Sequence, residues 1–175
     1  MANSIYLSLV FHNHQPVGNF DFIYEQGYKT AYLPMVELLE NHPGVPIGLH
    51  FSGSLLDWLV KHQPGLLERI KALVARGQVE ILTGAYYEPI LVSLLDVDKL
   101  GQIHKLTDAI GQWFDTEPRG MWLAERVWEP QLAKPLAEAG VRYVIVDDTH
   151  FEGVGFNKEK DLFGYFITEE QGRTL

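Results

Sequence analysis

The apolar positions of this chain alternate between two spacings. Short continuous apolar runs at residues 5–11, 47–51, 79–83, 120–125 and 143–146 have the length of buried strands. Between them the spacing lengthens to that of a helix. Tyr28, Tyr32, Met35, Val36 and Leu39 predict a helix over residues 24–40, which Pro43-Gly44 closes. Residues 54–61 and 64–76 read as two more, the second opened by Pro64 and followed by Gly77, because proline suits a first turn and glycine a helix end. The clearest period is Val97, Leu100, Ile103, Leu106, Ile110 and Trp113, predicting a helix over 96–114. A last helix over 130–139 ends at Gly140. Pro135 inside it removes a backbone donor at a cost on the order of 3 kcal/mol, which predicts a kink or a short helix. The tail from His150 is glycine-rich and weakly patterned, apart from aromatic residues at 163–166.

Five strands alternating with helices over short connections describe parallel βα units with right-handed crossovers. The expected fold class is α/β, a partial (β/α) barrel in a single domain. Polar residues gather where strands end, at residues 12–16, 84–89, 125–126 and 147–148. Such folds bind ligands at that rim.

A chain of 175 residues with 46% hydrophobic content has enough apolar surface for one real core. Cysteine is absent, so there is no disulfide, thiolate nucleophile or thiolate-bound metal, which fits a cytoplasmic protein. Lys and Arg number 14 against 23 Asp and Glu, a formal charge of −9 spread without long runs. That argues against nucleic acid or an anionic membrane as partner and suits a neutral ligand. Residues 1–4 lead straight into the first apolar run, with no signal peptide and no span of membrane length.

The densest chemistry lies at residues 120–130, where an apolar strand delivers Glu125 and Arg126 between Trp122 and Trp128. A guanidinium beside a carboxylate holds it ionised. Indoles offer flat apolar platforms on which sugar rings stack. His12 and His14, two apart on an extended chain, face one side. They fit a metal pair, a pair of hydroxyl contacts or structural histidines. Glu80 is a carboxylate inside an apolar strand, so it is either paired or facing a ligand. Tyr86, Tyr87 and Glu88 either line a cleft or pack over the barrel end. Asp147 and Asp148 are open to the roles of acid, base, ligand or helix cap.

Taken together, His12-Asn13-His14-Gln15-Pro16, Gly77-Gln78-Val79-Glu80 and residues 122–130 closely resemble the first three signature regions of glycoside hydrolase family 57, in order. Residues 13–20 and 147–151 are most similar to its 4-α-glucanotransferase and amylase-like branch. The resemblance covers residues 5–166 and implies the N-terminal portion of a seven-stranded (β/α) barrel acting on α-glucans or maltooligosaccharides. It implies retention of configuration through two carboxylates about 5 Å apart. By resemblance Glu125 is the nucleophile, and His12, His14, Glu80 and Trp122 line the neighbouring glucose subsite. Arg126 is expected to keep Glu125 ionised and to take part in substrate binding, and no metal or cofactor is implied. The family's acid is an aspartate in a later region, so Asp147-Asp148 is not given that role and the chain is expected to be truncated and inactive alone. Two other readings stand beside this one. One is a metal-dependent deacetylase or amidohydrolase using His12 and His14 with an aspartate, and the other is a non-catalytic glucan-binding module. An incomplete barrel is also expected to self-associate through its open edges.

Overall fold

A computed structural model describes residues 7–175 of the protein. Ile5 and Tyr6, at the head of the first expected strand, and the leading residues 1–4 lie outside the described residues. The strand β1 spans Val10–Asn13 and therefore runs past Phe11 into the polar segment. His12 and Asn13 are paired in register with His50 and Phe51 of β2 (Ile47–Phe51), so the ladder continues where the apolar run has stopped. Asn13 adds a side-chain bond, its Nδ2 donating to the His50 carbonyl at 3.1 Å.

Strand order in space follows strand order in the chain. β2 pairs in parallel with β3 (Val79–Leu82), and β4 (Gly120–Trp122) pairs in parallel with β5 (Tyr143–Ile145). The two sets join at a parallel bridge between Thr83 and Met121, where Thr83 N–H donates to the Gly120 carbonyl at 2.9 Å and Trp122 N–H to the Thr83 carbonyl at 2.8 Å. The expected α/β class holds, with parallel strands alternating with helices as an open part of a (β/α) barrel.

Register decides what each face carries. Val10, Gly48 and Glu80 are aligned across one face, and His12, His50 and Leu82 follow two residues further along it. Leu49, Phe51, Val79, Ile81 and Met121 alternate to the other face and are buried beneath the helices. Burying each such side chain stabilises the fold by roughly 1.5–3 kcal/mol.

The first helical segment contains α1 (Asp21–Gly27), a widened π-helical turn at Tyr28–Tyr32 and α2 (Leu33–Asn41). Pro34 has no N–H to donate to the Thr30 carbonyl four residues earlier, and the turn is widened there. α3 (Gly53–His62), α4 (Pro64–Ala75) and α5 (Asp96–Phe114) lie close to the expected ranges. Val97 departs from its expected place, being 72% exposed. The buried line runs instead through Lys99, Ile103, Leu106, Ile110 and Phe114, with the Lys99 ammonium bonded to Asp96 Oδ1 at 2.7 Å.

Pro135 falls in the first turn of a short helix, α6 (Ala133–Glu138), behind a tight turn at Pro130–Leu132. A first-turn residue has no intrahelical acceptor for its N–H, so the expected penalty does not arise. Beyond β5 come α7 (Asp148–Glu152) and a hairpin of β6 (Glu169–Glu170) and β7 (Arg173–Thr174). Its central residues Gln171 and Gly172 both have positive φ, as a two-residue turn between right-twisted strands requires. A cleft of about 1520 Å³ separates β5 from the tail, with Trp128, Val144, Val146, Phe151, Phe166 and Ile167 among its lining. No described helix is long and apolar enough to cross a membrane.

Candidate active site

Strand ends bring four histidine and carboxylate segments to one rim. β1 and the loop behind it supply His12 and His14, β2 supplies His50, the loop after β3 supplies Glu88, and the turn after β4 supplies Glu125. A cavity of about 250 Å³ is lined by His12, His14, Val17, Tyr87, Glu88 and Glu125. The loop bearing Glu88 is pinned from behind. Tyr86 is buried and its hydroxyl donates to Asp57 Oδ1 on α3 at 2.6 Å, leaving Tyr87 and Glu88 to face the cavity.

Glu88 is clasped by histidines. Its Oε2 bonds directly to His14 Nδ1, and its Oε1 lies 3.5 Å from His12 Nε2 and 3.7 Å from His50 Nδ1. The His12 ring stacks on His14 at 5.7 Å and on Trp122 at 4.5 Å, which fixes its plane. His12 Nδ1 and His50 Nδ1 are 2.9 Å apart, so one must donate and the other accept. His50 is fully buried, and a Cβ on Gly84 would stand 2.5 Å from its Nε2, so only glycine leaves room for that ring.

Burial dominates the titration of this group. It raises the Glu88 pKa to about 7, with the nearby Glu125 charge adding to the rise. It lowers His12 to about 4, with His14 and Arg126 contributing, and takes His50 well below the ordinary histidine value. His14 is lowered by burial, with Glu125 acting the other way. The imidazoles are therefore neutral near pH 7, and the carboxyl group is the one that titrates there.

The turn that presents Glu125 is strained. Glu125 and Arg126 have φ of 50° and 53°, and Glu88 across the cavity has 53°. Left-handed backbone is costly for residues with a Cβ and collects at functional sites. This turn overturns one expectation from the sequence. The Arg126 guanidinium does not pair with Glu125. Its Nε donates to Asp147 Oδ1 at 2.6 Å and it lies 5.6 Å from the Trp122 ring centre. Adjacent residues in a tight left-handed turn send their side chains apart, so sequence adjacency gave no contact.

The other sequence candidates divide. His12, His14, Glu125 and Trp122 come together. Glu80 lies one layer lower on the same sheet face, two residues below Leu82, where it accepts from the Tyr143 hydroxyl at 2.9 Å. Tyr143 reaches it across Gly120, where a Cβ would stand 2.1 Å from the ring. Trp128 packs against a buried cluster that includes Met121, Leu132 and Leu136 and lines the cleft beside β5, so the two tryptophans do not flank one site. Asp147 precedes α7 and serves Arg126. His50 was missed, although a histidine in an otherwise apolar strand carries the same signal that singled out Glu80. Of the loop residues read as lining a cleft or packing over the barrel end, Tyr87 and Glu88 line the cavity and Tyr86 packs behind it.

Ligand atoms of His12, His14 and Glu88 lie within 4.8 Å of one another, close enough for an ion in principle.

The model of glycosyl hydrolase family 57 matches residues 8–172. The chain belongs to glycosyl hydrolase family 57. Its family 57 relatives include an α-amylase 1 of Dictyoglomus thermophilum, 54% identical over 175 residues, or 100% of this chain and 25% of that protein. A 4-α-glucanotransferase of Thermococcus litoralis is 43% identical over 164 residues, 94% of this chain and 25% of the relative. The crystal structure of the Thermococcus litoralis 4-α-glucanotransferase superposes with a TM-score of 0.94 at 41% identity, covering 99% of this chain and 27% of the other. The chain thus spans about a quarter of the length of these family 57 relatives.

Proposed function

We propose that this chain is the nucleophile-bearing part of a retaining glycosidase catalytic domain that acts on α-glucans, by hydrolysis or by transfer between glucan chains. The observation that carries the reading is Glu125, an exposed carboxylate on a strained turn at the mouth of a cavity lined by neutral imidazoles. In this reading Glu125 attacks the anomeric carbon and forms a glycosyl ester, which water or a second sugar hydroxyl then cleaves. His14, whose Nδ1 is taken by Glu88, turns Nε2 to a sugar hydroxyl. Trp122 braces His12 by stacking on it, and Glu80 with Tyr143 lines the lower layer of the same face. Glu88 is turned to the imidazoles with its side chain 9% exposed, so it does not serve as the proton donor to the leaving oxygen. That donor comes from another part of the whole protein, as the family resemblance implies.

An activated fluorinated α-glucosyl fluoride tests the nucleophile without requiring an acid, because fluoride leaves with little protonation. Peptide mapping after incubation should place one glycosyl unit on Glu125, with none in Glu125→Gln. Labelling at another carboxylate, or no labelling of the folded chain, overturns the assignment.

The metal-dependent reading makes the opposite demand on the histidines. The carboxylate that joins them is Glu88, while Asp147 is held by Arg126. Metal analysis of the purified protein should find no stoichiometric zinc. One tightly held zinc per chain, lost on changing His12 or His14, would establish the metal-dependent reading instead.

A further inference from the structure

Among the described residues, Trp58 Nε1, His50 Nε2 and Glu88 Oε1 are the buried side-chain polar atoms without a hydrogen-bond partner. The last two are joined by one side-chain path. From Glu88 Oε1 it runs to His12 Nε2 at 3.5 Å, through the ring to Nδ1, across 2.9 Å to His50 Nδ1, and through that ring to Nε2. Each neutral imidazole carries one proton, so across the His12–His50 hydrogen bond the donor on one ring fixes the donor on the other, and Glu88 joins that relay once Oε1 and His12 Nε2 close from 3.5 Å into a hydrogen bond.

We propose that Glu88 is a positioning residue of this site: whether its carboxyl group is ionised or protonated sets the tautomers of His12 and His50 together. With Glu88 ionised, His50 Nδ1–H donates to His12 Nδ1, and His12 Nε2–H donates to Glu88 Oε1. With Glu88 protonated, Oε1–H donates to His12 Nε2, His12 Nδ1–H donates to His50 Nδ1, and His50 carries its proton on Nε2. The second arrangement holds one more proton than the first and the carboxylate charge is gone, so the proton count balances. His14 Nδ1–H donates to Oε2 in both, and its outward Nε2 stays an acceptor.

The groups that face Glu88 are consistent with this switch. They are His12 and His14 from β1 and its loop, His50 from β2, Tyr87 on its own loop and Glu125 from the turn after β4, with Arg126 acting on His12. The imidazoles resist protonation because of their burial, which leaves the carboxyl group to take up the proton near neutral pH. The inference rests on the glycosidase reading for its use. There, esterification of Glu125 removes a negative charge beside Glu88, which favours ionised Glu88 and the first tautomer set during the covalent step.

Nitrogen-15 NMR of the histidine rings tests the switch in the full chain without any sugar. The His12 and His50 nitrogens should exchange protonated and unprotonated character with one shared midpoint near 7. Glu88→Gln accepts from His14 through its carbonyl and donates to His12 through its amide, so it should hold both rings in the low-pH tautomers between about pH 5 and pH 8. Glu125→Gln should move the wild-type midpoint downward. His12 and His50 nitrogens that stay fixed through neutral pH in the wild type overturn the proposal, as does a titration that persists in Glu88→Gln. Should Glu88→Gln not fold, the wild-type titration and the Glu125→Gln shift decide the question. None of these readouts requires glucan turnover, so they fail separately from the labelling of Glu125.

Discussion

Glu88 and His12 pull the stability of the protein in opposite directions as pH changes. Glu88 has a folded pKa of about 7 against 4.5 for a free glutamate, so its contribution is complete below 4.5 and is lost as pH rises through 7. His12, lowered from 6.5 to about 4, contributes stability above 6.5 that is lost as pH falls towards 4. His50 acts in the same sense as His12. Between 4.5 and 6.5 the carboxyl therefore offsets part of the histidine loss. Glu88→Gln removes the offset, and its denaturation midpoint should fall more steeply than the wild type's on acidification through that window. Parallel curves for the two proteins would show that Glu88 titrates as an ordinary glutamate.

The loop after β3 shows how one element holds another's chemistry in place. Tyr86 is its anchor, buried against α3 with a bond to Asp57, and a Cβ on Gly53 would stand 2.3 Å from its ring. Gly53→Ala should expel that ring and cost roughly 1–3 kcal/mol, as overpacking does. Tyr86→Phe should lose only the hydrogen bond, about 1 kcal/mol. Urea denaturation of both variants checks the order, and a Gly53→Ala protein as stable as Tyr86→Phe would mean that the loop yields freely. Elements of this kind were legible in the chain to different depths. The range of α5 and the ends of α4 followed from period and caps, because an amphipathic stripe and a proline–glycine pair are local signals. The widened turn before Pro34, the outward face of Val97 and the partner of Arg126 were not, because each depends on which neighbour lies across the gap. The hairpin at Gln171-Gly172 carried only a faint signal, since its strands are two residues each. At the rim, His12, His14, Trp122 and Glu125 converge, Glu80 and Asp147 take partners elsewhere, and His50 and Glu88 gain meaning only once β2 and β3 are laid beside β1.

Taken as a whole, the described chain leaves its outermost strands unpaired on one side, β1 beyond β2 and β5 beyond β4. Beside β5 lies the apolar cleft, and Val154, Phe163, Tyr165 and Ile167 in the tail are 72–90% exposed. Open parallel edges and apolar patches of this kind promote association. Residues 1–175 prepared alone should sediment as species larger than one chain, increasingly so at higher concentration. A single-chain species across the concentration range would show that the edges are protected.

The sheet is also laid down in the order in which it is read. Each strand pairs with the one before it, so no strand has to wait for a partner encoded later. At a synthesis rate of roughly 5–20 residues per second, β1 and β2 can meet well before β4 has left the ribosome. The first three strands and α2 to α4 bury most of one core, whereas Met121, Leu132 and Leu136 of the second arrive afterwards. A ribosome stalled once α5 has cleared the exit tunnel should already hold the β1–β3 half in protease-resistant form, with the strained turn still inside the tunnel.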